Sequence, residues 1–169
     1  MEEPGERVQE EGFALIIDSN VLFTIIIAGK RSRAYCVIEK YELDLFMPEE
    51  ALIEFHKHVE KLKRYSLSDF EVKVMLAFML IHIVPRELYS DKIREAYIIA
   101  RNFDPKDTPF IALALKLGIP IWTEDKAIIK YGLRTQRYIA LDTIAVEKLL
   151  SGKSLENVLR ELASRMEPK

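Results

Sequence analysis

Four acidic residues, Asp18, Glu54, Asp107 and Asp125, stand where carboxylates could be gathered into one cleft. Asp18 closes the apolar run FALIID, and Asp125 follows the apolar run IPIWT and Glu124. Asp107 opens the most apolar helical stretch of the chain, TPFIALALKLG. Glu54 lies about two turns into a helix that begins near Pro48. Carboxylates crowded together raise one another's pKa. The crowding becomes favourable when a divalent cation is shared, because Mg²⁺ and Mn²⁺ prefer oxygen ligands. Such an ion lowers the pKa of a bound water and makes hydroxide available for attack on phosphorus. A second ion about 4 Å away would stabilise the leaving 3′-oxygen.

Taken singly, each acid has a plainer explanation. Asp18 is placed to cap a helix, although Ser19 or Asn20 would cap equally well and leave Asp18 facing the cleft. Glu54 stands off the centre of the apolar stripe Leu52, Phe55, Val59 and Leu62, where a solvated glutamate would pair with His58 one turn on. Asp104 as cap, Pro105 at the first helical position and Asp107 beyond form a capping-box-like pattern. Asp104 is therefore read as structural, a supporting residue beside the metal, while Asp107 can serve the helix dipole and still reach the cleft. At Asp125 a cap is again the plain reading, with Thr123 the better residue for it. What no plain reading explains is why all of them fall at the edge of one crevice.

That crevice follows from the elements. Short apolar runs at 13–18, 42–48, 81–85, 119–123 and 137–141 read as strands. Helical patterns fill 20–28, 31–41, 48–65, 89–101, 124–131, 142–150 and 154–165, with Ser66 or Ser68 capping another that carries Val72 to Leu80. The apolar helix after Asp104 stops at Gly118. Alternation of this kind predicts an α/β fold, three layers with a parallel sheet of about five strands between helices. In such sheets ligands bind beyond the carboxyl ends of the strands, where strand order reverses. Residues 1–12 read as a loose acidic tail, 13–150 as the domain and 151–169 as a C-terminal helical extension.

Composition narrows the function classes. The chain has 169 residues and a formal charge of −2, from 25 Lys and Arg against 27 Asp and Glu. It is not one that coats nucleic acid by bulk charge. Local cations must do any such work, and Lys126, Lys130 and Arg134, near the end of the fourth strand, are the best placed for phosphate. Lys57, Lys61, Lys63 and Arg64 read as a solvated face. Nothing approaches the ~18 apolar residues of a membrane span. Cys36, the lone cysteine, reads as a buried thiol in a reducing cytoplasm.

The pieces IIDSNVL at 16–22, IEF at 53–55 and DTPFIALALKLGIPIWTED at 107–125 resemble the PIN-domain family of nucleases. The resemblance spans roughly residues 13 to 150, and its specific part is the unbroken stretch from Asp107 to Asp125. It puts the family's four acids on Asp18, Glu54, Asp107 and Asp125. The common asparagine falls on Asn20 and the Thr-x-Asp ending on Thr123. It implies cleavage of RNA with Mg²⁺ or Mn²⁺, frequent dimerisation and, in the toxin members, an antitoxin partner. Trp122 departs from the aliphatic residue usual at its position.

Competing readings fare worse. A receiver-like signalling domain needs two adjacent acids after the first strand, and Ser19 follows Asp18. Neither glycine pattern of nucleotide-binding folds is present. His56 and His58, two apart on a helix, do not share a face for zinc. A catalytically silent interaction module of the same fold is the serious rival.

Overall fold

The computed structural model describes residues 12–65 and 69–168. Five strands build one sheet: Phe13–Ile17 (β1), Leu43–Pro48 (β2), Ile81–Val84 (β3), Ile121–Trp122 (β4) and Ala140–Leu141 (β5). Every neighbouring pair is parallel, and the order is β3-β2-β1-β4-β5. The register sets Leu15 against Leu45 and Ile17 against Trp122. Leu15, Ile16, Ile17, Ile121 and Trp122 are all fully buried, as strands covered on both faces require.

Nine helices among the described residues connect and cover the sheet. They are Ser19–Ala28 (α1), Arg33–Lys40 (α2), Glu50–Tyr65 (α3), Phe70–Met79 (α4), Ile93–Ala100 (α5), Thr108–Leu117 (α6), Lys126–Thr135 (α7), Thr143–Leu150 (α8) and Leu155–Met166 (α9). The chain moves one way from β1 to β3 and the other way from β1's far side to β5. Right-handed crossovers then put α1 to α4 on one face and α5 to α7 on the other. Packing agrees: α1 touches α2, α3 and α4, while α5 packs on α6, which lies on β1 and β2. Helix α9 packs on α7 and α8 and buries Val158 and Leu162 completely. The fold is a three-layer α/β/α sandwich.

Several boundaries differ from those read in the sequence, each for a local reason. Pro48 ends β2, paired with Val84, instead of opening α3, which starts at Glu50. A proline at the end of a strand forfeits no essential ladder bond. The expected helix 89–101 begins as a 3-10 turn, Ser90–Lys92, before α5, and a separate 3-10 turn, Arg86–Leu88, precedes it. Strands β4 and β5 are two residues each, because Pro120 precedes one and helix caps follow both. Helix α7 runs on to Thr135, four residues past the predicted end. Cys36 is exposed: α2 buries Ala34 and Val37, so Cys36 turns outward, its thiol 3.9 Å from the Lys30 carbonyl. Gly118 ends α6 at φ 66°, as expected of a left-handed cap. Phe55 is buried in α3 with Leu52 and Val59 half-buried. Ser66, Ser68, the side chain of Leu62 and the tail up to residue 11 lie outside the described residues.

Candidate functional site

Strand order reverses between β1 and β4, and two of the four acids stand at that point. The register that pairs Ile17 with Trp122 carries Asp18 alongside Thr123. The Asp18 N–H donates to the Trp122 carbonyl at 2.9 Å. Asp18 is not left free by its neighbours, as the sequence had implied, but is itself the cap of α1. Its Oδ1 accepts from the Ser19 N–H at 2.7 Å, while Oδ2 accepts from the Thr123 hydroxyl at 2.6 Å. Only 6% exposed, it is held by those two bonds at a depth where burial pushes its pKa up and the bonds pull it down.

Thr123 is likewise not a cap. Fully buried, it gives its proton to Asp18 and accepts the Asp125 N–H at 3.0 Å. Asp125 is the cap of α7, with Oδ1 accepting from Ala127 at 2.9 Å and Ile128 at 3.4 Å. A short polar chain thus locks the two helix starts together across the switch point. Asn20 joins from the rim, where its Oδ1 stands 3.5 Å from the Glu124 N–H.

Asp107 enters from the start of α6. Asp104 caps the 3-10 turn Pro105–Asp107, accepting from the Lys106 N–H at 2.9 Å, as the sequence pattern predicted. Asp107 is half-buried, and among the described residues its carboxylate accepts no hydrogen bond. Burial and the charges of Asp18, Asp104, Asp125 and Glu54 together push it up to about 7. Glu54, half-buried on α3, adds the smallest of the charges that act on Asp107 and on Asp18. No ion pair joins Glu54 to His58 among the described residues.

These residues fit a hard cation in their chemistry. All four side chains offer oxygen, and Asp107 is an unsatisfied carboxylate ringed by like charges. Among the described residues, no three His, Cys, Asp or Glu are gathered closely enough to share an ion as they stand. Lys126, Lys130 and Arg134 are exposed at fourth-residue spacing along α7, and Arg134 lies 5.1 Å over the Tyr131 ring. The three histidines are exposed.

One group escaped the sequence reading. Glu124 Oε1 accepts from the Thr143 N–H at 2.8 Å and from its hydroxyl at 2.5 Å. The Thr143 hydroxyl in turn accepts the Trp122 indole N–H at 3.0 Å. Asp142, beside it, caps α8 and pairs with Arg165 of α9. The signal was Trp122 itself, because a tryptophan buried in a strand needs an acceptor for its N–H. An apolar cleft of about 570 Å³ also opens between α2 and α4, lined by Leu22, Tyr35, Ile38, Val72 and Leu76, and none of the four acids lines it.

An α/β/α sandwich with acids at its switch point is one arrangement among many, and similarity decides between them. The sequence matches the PIN domain over residues 16–163. The chain belongs to the PIN-domain family. Its members are generally nucleases and typically use Mg²⁺ or Mn²⁺. In fold, this PIN domain is similar to the crystal structure of PAE2754 from Pyrobaculum aerophilum, with a TM-score of 0.55. That match covers 89% of this chain and 100% of the other at 13% identity, so it concerns the fold alone. No curated protein matches the sequence significantly. Among the described residues of this PIN domain, no helix is long and apolar enough to cross a membrane.

Proposed function

We propose that this PIN domain is a ribonuclease that hydrolyses RNA phosphodiester bonds with Mg²⁺ or Mn²⁺ held by Asp18, Glu54, Asp107 and Asp125. One observation carries the reading: the Asp107 carboxylate accepts no hydrogen bond among the described residues and is pushed up to about 7, largely by its own burial and by the other acids. A domain that needed these side chains only as caps would have no reason to turn the charges of four other carboxylates on Asp107.

When bound, the metal would polarise the phosphate and supply a nucleophilic water at neutral pH. The chain's own part is positional. Thr123 orients the Asp18 carboxylate, and each Asp18 oxygen keeps a lone pair for a cation. Asp125 Oδ1 is committed to α7, which leaves Oδ2 for the cleft. Glu54 and Asp107 complete the set from α3 and α6. The exposed Lys126, Lys130 and Arg134 on α7 would hold phosphates on one flank. Attack on phosphorus with departure of the 3′-oxygen leaves a 5′-phosphate and a 3′-hydroxyl.

The test is cleavage of end-labelled RNA and of matched DNA in Mn²⁺, in Mg²⁺ and in EDTA. We expect metal-dependent RNA cleavage that EDTA abolishes and that Asp107→Asn or Asp18→Asn reduces at least about 100-fold, as for other groups acting on the transition state. Equal cleavage by wild type and Asp18→Asn would expose a contaminating nuclease and sink the assignment. A folded wild type that binds no divalent cation and cuts nothing would leave the silent interaction module.

A further inference from the structure

We infer that a cleft between α5 and the start of α6 is a binding track for single-stranded polynucleotide, leading toward the carboxylates by way of Glu54. Two clefts meet there. One, of about 530 Å³, is lined by Arg86, Arg94, Tyr97 and Lys106. The other, of about 450 Å³, is lined by Glu54, Lys57 and His58. Lys106 and Pro109 belong to both, so the two run into each other beside Asp107.

The first cleft pairs cations with an aromatic face. Arg86 is engaged by Glu50 at 2.7 Å, but Arg94 and Lys106 form no ion pair among the described residues. Lys106 lies between Asp104 and Asp107 in sequence and bridges to neither. Tyr97 is 50% exposed on a helix whose other face, Ala96, Ile99 and Ala100, is buried. A cationic groove with an aromatic platform binds single strands through phosphate and stacking, with no demand on sequence. A cleft of this size takes about one nucleotide, whereas a duplex keeps its bases stacked and away from Tyr97.

The inference rests on the nuclease reading for what happens at the carboxylates, but binding tests it separately. The probes are fluorescein-labelled oligouridylate, oligodeoxythymidylate and an RNA duplex of equal length. Affinity is measured by anisotropy on the full chain carrying Asp107→Asn, in EDTA, over a range of salt. Single strands should bind at least about tenfold more tightly than the duplex. The pair Arg94→Ala and Lys106→Ala should weaken binding about tenfold or more and flatten the salt dependence by about 0.7 per cation. Tyr97→Ala should lose about tenfold while Tyr97→Phe, which keeps the ring, loses little. Equal affinity for RNA and DNA would assign recognition to phosphate and base alone; tighter RNA binding would add the ribose hydroxyl, and either outcome supports the track. It is overturned if no single strand binds, if the duplex binds equally, or if the paired variant keeps full affinity. An equal loss from Lys40→Ala, an exposed cation at the end of α2, overturns it too. Losses in the cleft variants without any cleavage would defeat the nuclease reading alone, and cleavage with undiminished binding would defeat the track alone.

Discussion

Burial and four neighbouring acids act on Asp107 in the same direction, holding its carboxyl at about 7 against an ordinary 3.8. The folded chain therefore keeps a proton that the unfolded chain gives up once pH passes about 4. A group raised in this way contributes stability that is fully present below its unfolded value and lost as pH rises through about 7. Asp107→Asn removes the charge without changing the shape. In EDTA at pH 8 the variant should be more stable than wild type by about 1–2 kcal/mol, once solvent screening at a half-exposed carboxylate is allowed for. At pH 4 the two should unfold together. Urea denaturation at both values checks this, and a gap of the same size at pH 4 would show that the charge is not its source. Asp18 offers no such clean experiment, because its oxygens also cap α1 and receive the Thr123 hydroxyl.

Between residue and molecule lie the elements that aim these side chains, and α7 shows how tightly they are set. Gly132 lies where a Cβ would come within 2.9 Å of the Tyr138 ring and 3.1 Å of its carbonyl oxygen. The ring cannot swing away, because its hydroxyl donates to the Ile128 carbonyl at 2.7 Å and its face stacks on Tyr131. Gly132→Ala should cost about 1–3 kcal/mol through overpacking. A urea midpoint equal to wild type would show that α7 can shift, and with it the Asp125 cap. The sequence pattern revealed the elements well where apolar residues alternate or repeat: all five strands and the Gly118 stop are recoverable from it. What it hid was which polar residue does which task at a strand end. Asp, Ser, Thr and Asn all cap helices, so Asp18-Ser19-Asn20 and Thr123-Glu124-Asp125 each admit several assignments. The register of β1 on β4 decides, because only there does Thr123 stand beside Asp18. Cys36 was hidden for a related reason. An eight-residue helix shows too little periodicity to tell its covered face from its open one.

At the scale of the whole molecule, the four acids come from segments spread between residues 18 and 125, on both faces of one sheet. Their charges destabilise the native state and nothing else, since the unfolded chain lets them drift apart. A cation that needs all of them binds the native state alone, so its binding free energy adds to folding. At a hundred times its dissociation constant that amounts to about 2.7 kcal/mol, or a rise of several degrees in a domain of this size. The stability order of two proteins should therefore reverse. In EDTA at pH 8 Asp107→Asn melts above wild type, freed of repulsion. In saturating Mn²⁺ wild type gains the full increment while the variant, short of a ligand, gains little, and wild type melts higher. Scanning calorimetry of both proteins across a Mn²⁺ titration reads this directly. Parallel rises in the two melting temperatures would mean that the ion sits elsewhere or binds nonspecifically. A crossing requires that the carboxylate which destabilises the fold be the one the ion needs.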